Sequence, residues 1–237
     1  VESFTVGEYE VEILDAEQSA DLYTWLDEQD YALPAGSETV LDDYIESGSY
    51  FLAARVSLDA AVDEEAWLSP LQITYTDEAF SLPLRIGTLS SPGVQDLILY
   101  AISSRSEGSV TISNYPEVEL EDDCMWRPEG DEDFSEHYAR WLSDAVEEAG
   151  GAAWIQEYTW GAADCSHCPS DPLSDKELAA LGFEREWGGT QLTRLHLRYT
   201  PEAATRDLDL ETTGELPTEE LYYVNYLAGM EVMYPVC

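Results

Sequence analysis

The chain has 237 residues, with 50 Asp and Glu against 10 Lys and Arg, and a formal net charge of -40 at pH 7. A surface this negative repels nucleic acid phosphates and anionic headgroups, and no apolar run reaches the roughly 20 residues that a membrane-spanning helix needs. At 44% hydrophobic and 11% aromatic residues, the composition excludes an acidic disordered chain and predicts an ordered core.

In chain order, Val6 to Leu14 alternates, with Val11 and Ile13 opposite Glu10 and Glu12, which predicts a half-buried strand. Ala16 to Gln29 carries Leu22, Trp25 and Leu26 at helical spacing, and Tyr31 to Pro34 ends that helix. Ser37 to Glu46 predicts a second helix, with Ser37 as its cap and Val40, Leu41, Tyr44 and Ile45 as an apolar stripe. The pattern then turns strand-like over Tyr50 to Leu58, Leu71 to Tyr75, Leu82 to Leu89 and Leu97 to Ser103, with Val110 to Ile112 as a fifth strand. Residues 116–133 are the most acidic and irregular stretch, and the boundary between two halves is placed there. Phe134 to Ala149 predicts a helix with Tyr138, Trp141, Leu142 and Ala145 inward, stopped by Gly150-Gly151. Ala153 to Trp160 predicts a strand, Ser174 with Glu177 a capping box for a helix through Leu181, and Leu192 to Tyr199 a further strand. Leu208 to Leu210, Tyr222 to Leu227 and Glu231 to Tyr234 predict short strands.

Four cysteines, an even number, on a lysine-poor acidic chain point to an oxidising, exported location with two disulfides. Of three pairings, Cys165–Cys168 with Cys124–Cys237 is the expected one. CSHCP also has the spacing of a thiol redox pair, but Pro169, Asp171 and Pro172 follow where a thioredoxin-like site needs a helix to start. A zinc site built on Cys165 and Cys168 would need His167, Cys124 or Cys237, since no second CxxC and no HxxxH is present. His137 and His196 read as packing or surface histidines. No GxSxG, Walker sequence, GxGxxG or HExxH occurs. Glu119, Glu121, Asp122, Asp123, Asp131 and Asp133 form the best carboxylate cluster for calcium, without EF-hand spacing. The dominant expectation for the charge is a solvated acidic surface adapted to salt.

The series VGEYEVEIL, LYTWLDEQDYALP, LDDYIESGSYFLAARV, LSPLQITY and LPLRIGTLSSPGVQDLILY resembles the bacterial domain-of-unknown-function family 2330 (DUF2330). NYPEVEL, QEYTW followed by CSHCP, LSDKELAALGF, LTRLHLRY and DLDLE continue the likeness, and VNYLAGMEVMYPVC is a looser match. The resemblance implies an exported bacterial protein of no agreed activity. It also implies a further cysteine-containing N-terminal region, so the start at Val1 reads as trimming or as one portion of a longer protein. It carries no catalytic residues.

These readings predict an α+β protein of mostly antiparallel sheets with flanking helices, in two associated, disulfide-linked halves, 1–115 and 116–237. The expected role is a non-enzymatic extracellular, cell-surface or periplasmic structural protein of a bacterium from salty conditions. Its expected partner is itself, in an oligomer or filament, with Tyr222, Tyr223, Tyr226 and Tyr234 as interface candidates. The rival readings are a thiol-disulfide oxidoreductase using the CxxC pair and a calcium-dependent binding module; no other cofactor is expected.

Overall fold

The structure, a computed structural model, describes residues 2–15, 19–34, 36–56, 68–91, 93–119, 125–161, 173–183, 189–220, 226 and 228–236. It contains antiparallel sheets with a few helices, an α+β composition, in two compact units, Val1–Tyr75 and Thr76–Cys237. All four cysteines lie outside the described residues, so the expected disulfides do too. Among the described residues no helix is long and apolar enough to cross a membrane.

In the first unit, β1 (Glu2–Val6) and β2 (Tyr9–Asp15) form a hairpin, α1 (Ser19–Glu28) and α2 (Ser37–Glu46) follow, and β3 (Tyr50–Val56) pairs with β2. The single strand expected from Val6 is interrupted because Gly7, at φ 58°, opens a two-residue turn that pairs Val6 with Tyr9. Leu14, Phe51 and Ala53 pack on Leu22, Leu26, Trp25 and Ile45 of the helices. The Tyr23 hydroxyl ties α1 to α2, donating to Glu38 O at 2.9 Å and to Asp42 Oδ1 at 3.1 Å. Ser37 is not the cap of α2. Gly36 holds the cap position at φ 91°, and the buried Ser37 hydroxyl donates to Pro34 O at 2.6 Å.

The second unit contains β4 (Ser81–Leu82), α3 (Arg85–Thr88), β5 (Gln95–Ser104), β6 (Val110–Ile112), α4 (Phe134–Glu148), β7 (Ala152–Gly161), α5 (Asp175–Ala180), β8 (Thr190–Tyr199), β9 (Leu208–Thr212) and β10 (Glu219–Glu220). They build a four-stranded sheet in the order β10-β7-β8-β5 and a three-stranded sheet in the order β4-β9-β6. Leu195, Leu197, Trp154 and Ala101 meet Val110, Ile112, Leu208 and Leu210 in the main core. Leu142 and Val146 of α4 pack on Ala153 and Ile155 of β7. The strands either side of the acidic stretch at 116–133 therefore share one sheet, because β5 pairs with β8 over its full length.

Three strand expectations are corrected. Leu71, Ile73 and Tyr75 alternate but form no strand; they stay exposed, and no described strand pairs with them. The strand expected over Leu82–Leu89 stops at once, because the Asp207 carboxylate accepts from Leu84 N at 2.8 Å and Arg85 N at 3.1 Å and turns the chain into α3. Residues 231–234 form turns in which Met233 N and Tyr234 N donate to Met230 O. Most of the strand expected over 222–227 lies outside the described residues.

Candidate functional site: a charged ladder beneath α4

Strand β8 places Arg194, His196 and Arg198 at alternate positions, so period-two geometry sends all three to one face. The other face, with Thr193, Leu195 and Leu197, is buried. Register brings Asp96 opposite Arg198 and Tyr100 opposite Arg194 from β5, and Tyr158 opposite Arg194 from β7. Between Gln156 and Tyr158 the register of β7 shifts by one residue. Such a bulge lets two successive side chains share a face, and Glu157 thereby joins Tyr158 on the side of the basic residues.

Glu157 is the hub. Its Oε1 accepts from the Tyr138 hydroxyl of α4 at 2.8 Å and lies 3.0 Å from His196 Nδ1. Its Oε2 lies 2.8 Å from Arg194 Nε. His196 Nε2 lies 2.9 Å from Asp96 Oδ1, and Arg198 Nε lies 3.3 Å from the same oxygen. The two arginine contacts are ion pairs rather than aligned hydrogen bonds. Arg198 NH1 also donates to Ala139 O at 2.9 Å and Ser143 Oγ at 2.8 Å, fixing the sheet to the middle of α4. Arg194 sits between the rings of Tyr100 and Tyr158, 5.3 and 5.9 Å from their centroids. Tyr158 is stacked in turn on Trp160 at 4.1 Å.

A carboxylate only accepts hydrogen bonds, so an imidazole between two carboxylates must donate from both nitrogens. His196 Nδ1 also has the Tyr138 hydroxyl at 3.2 Å, and the two carboxylates favour the imidazolium form. Burial pulls its pKa down, but hydrogen bonds to Glu157 and Asp96 and their negative charges outweigh burial and hold it above 6.5. Glu157 is the mirror case. Burial pushes it up, and the His196 and Tyr138 hydrogen bonds with the Arg194 charge hold it below 4.5. A depressed carboxylate and a saturated imidazolium make a poor general base pair. What the arrangement does well is clamp α4, β5, β7 and β8 together.

Of the residues expected at a site, Asp133 caps α4: its Oδ1 accepts from Glu136 N at 3.0 Å and Ser135 Oγ at 2.8 Å. Glu119 and Asp131 are exposed, and Glu121, Asp122 and Asp123 lie outside the described residues. Among the described residues no group of three or more His, Cys, Asp and Glu is placed to hold a metal ion. The Tyr226 hydroxyl donates to Glu231, and Arg127 lies 5.2 Å over the Tyr226 ring. Tyr234 is exposed, while Tyr222 and Tyr223 are not among the described residues. His137 contacts the Trp126 ring at 4.5 Å. The alternation LTRLHLRY already marks a basic face, holding two of the ten Arg and Lys and one of the three His. Glu157, Asp96 and Tyr138 are not recoverable from it, since one depends on a bulge and the others on pairing and docking.

The chain belongs to a family described as an uncharacterised protein conserved in bacteria, DUF2330, which matches residues 1–211. No curated protein and no solved structure matches the chain.

Proposed function

We propose that this DUF2330 member is a non-enzymatic structural protein of a salt-exposed bacterial exterior that associates with copies of itself. The observation carrying this reading is an exposed apolar stretch on one face of the β1-β2-β3 sheet, with Glu2 and Asp15 at the margins of that face. By register, Phe4, Val6, Tyr9, Val11, Ile13, Leu52, Ala54 and Val56 share the face opposite the helices. The Tyr9 hydroxyl donates to Ser69 O at 2.7 Å, yet Phe4, Val6 and Leu52 remain 45%, 47% and 40% exposed. An apolar patch on so acidic a molecule is the least repulsive place for a second copy to meet it. The histidine and carboxylates of the ladder are spent on one another, which supports a role without catalysis.

The test is light scattering on the full chain across protein concentration at low salt and at about 1 M salt, where the screening length shrinks to about 3 Å. The expected result is a mass above the monomer at high salt that returns to the monomer in Phe4→Asp. A monomer at every salt and concentration sinks the reading.

A further inference from the structure

The four-stranded sheet treats its two edges differently. Beyond β7, β10 pairs with Tyr158 and Thr159. Pro116–Val118 covers more of that edge: Trp154 N donates to Pro116 O at 3.0 Å and Val118 N to Trp154 O at 2.8 Å. At the opposite edge, β5 has no neighbour other than β8 among the described residues. Among the described residues, the backbone hydrogen bonds of Gln95 to Ser103 run to β8, and alternate N–H and C=O groups point away from it.

This edge lacks the usual guards. Its ten residues, QDLILYAISS, contain no Pro, Gly or Lys, and the register with β8 runs unshifted from Gln95 with Tyr199 to Ser104 with Thr190. Asp96 is its only charge, in a chain with 25% charged residues. Long, flat, apolar edges are templates for pairing with another chain, and natural proteins normally blunt them. Tyr100 on this edge is 54% exposed, and Ile102 lines a shallow groove with Phe80 and Leu210.

We propose that β5 is the edge at which a second copy of this chain adds its own β5, antiparallel about a twofold axis, joining two sheets into one. This rests on the self-association reading and gives it a surface separate from the β1-β2-β3 face. A continuous sheet must keep its layers, so even-numbered residues meet even-numbered ones. With Leu99 on the axis, Ile98 faces the partner's Tyr100, Leu97 faces the partner's Ala101 and Asp96 faces the partner's Ile102. No like charges oppose each other, and apolar pairs recur on both faces. A basic peptide would find a single carboxylate along the strand, so the edge suits a second copy better than a cationic partner. The remaining repulsion between acidic bodies makes the pairing salt-dependent.

The experiment is amide hydrogen exchange on the full chain at high salt over a concentration series, read over residues 95–104, beside light scattering of Tyr100→Glu and Tyr100→Phe. Glu keeps a partner for Arg194 but sets carboxylates beside the axis. The expected result is at least tenfold slower exchange at 95–104 as mass rises, lost in Tyr100→Glu and kept in Tyr100→Phe. Association without added protection at 95–104 overturns this inference and leaves the self-association reading standing, whatever the variants do. A chain that never associates overturns both.

Discussion

Glu157→Gln is the sharpest test of the ladder. Side chains of Glu157 and His196 are only 13% and 11% exposed, so solvent does little to replace a lost partner. Gln retains an oxygen for Tyr138 and His196 but turns an amide N–H₂ toward Arg194, donor against donor, and leaves Asp96 as the one carboxylate for the three basic groups of the ladder. Breaking a buried pair by removing one charge costs about 3–5 kcal/mol, and the retained acceptor places this variant at about 3 kcal/mol. The pH dependence carries a sign. His196 is raised above 6.5, so its contribution is complete below 6.5 and is lost as pH rises through the folded value. Glu157 is lowered below 4.5, so its contribution is present above 4.5 and is lost as pH falls through the folded value. The native clamp is therefore complete between 4.5 and 6.5, and Glu157→Gln removes the acid-side loss and shrinks the alkaline one. Urea unfolding at fixed high salt across this range measures both effects, and NMR titration of the His196 ring reads its pKa directly. A destabilisation below about 1 kcal/mol within the window, or an unchanged His196 titration, refutes the clamp.

Leu142→Ala empties a fully buried position beneath α4 and lowers urea-measured stability by about 2–5 kcal/mol. Gly108→Ala is disfavoured twice: φ is 80° and a Cβ would meet the Glu215 backbone. Thermal unfolding should show a loss on the order of 1–3 kcal/mol. Burial, then the Arg140 charge, lowers His137 below 6.5 against the pull of Glu132. Its protonation on acidification should quench Trp126 fluorescence only below pH 6.5, and His137→Phe should abolish that step. Burial and Asp42 push Tyr23 up to about 12, so Tyr23→Phe should delete one tyrosinate that appears near pH 12 in an alkaline absorbance titration.

Elements whose cues are local were legible. Val110–Ile112 and Ser37–Glu46 occur over the expected ranges, the latter with Gly36 rather than Ser37 at its cap, and Ser174 forms its capping box with Glu177 as spacing alone predicts. Where a distant group intervenes, periodicity misleads: Asp207, far along the chain, is what ends the strand expected from Leu82. The same limit governs the site. Alternation in LTRLHLRY places three basic side chains on one face, but not which carboxylates answer them. Asp96 arrives through a pairing across about half the chain, and Glu157 through a one-residue slip in β7 that no composition signals.

The position of β8 between β5 and β7 also sets an order of events. The β1-β2-β3 sheet closes from segments that all precede the second unit, so it can form before that unit has been made. The larger sheet waits, since β5 and β7 both pair with β8 and Thr190–Tyr199 comes after them, and long-range pairing of this kind is slow. During that interval β5 lacks its β8 partner, and closure of the four-stranded sheet waits on the arrival of a single late strand.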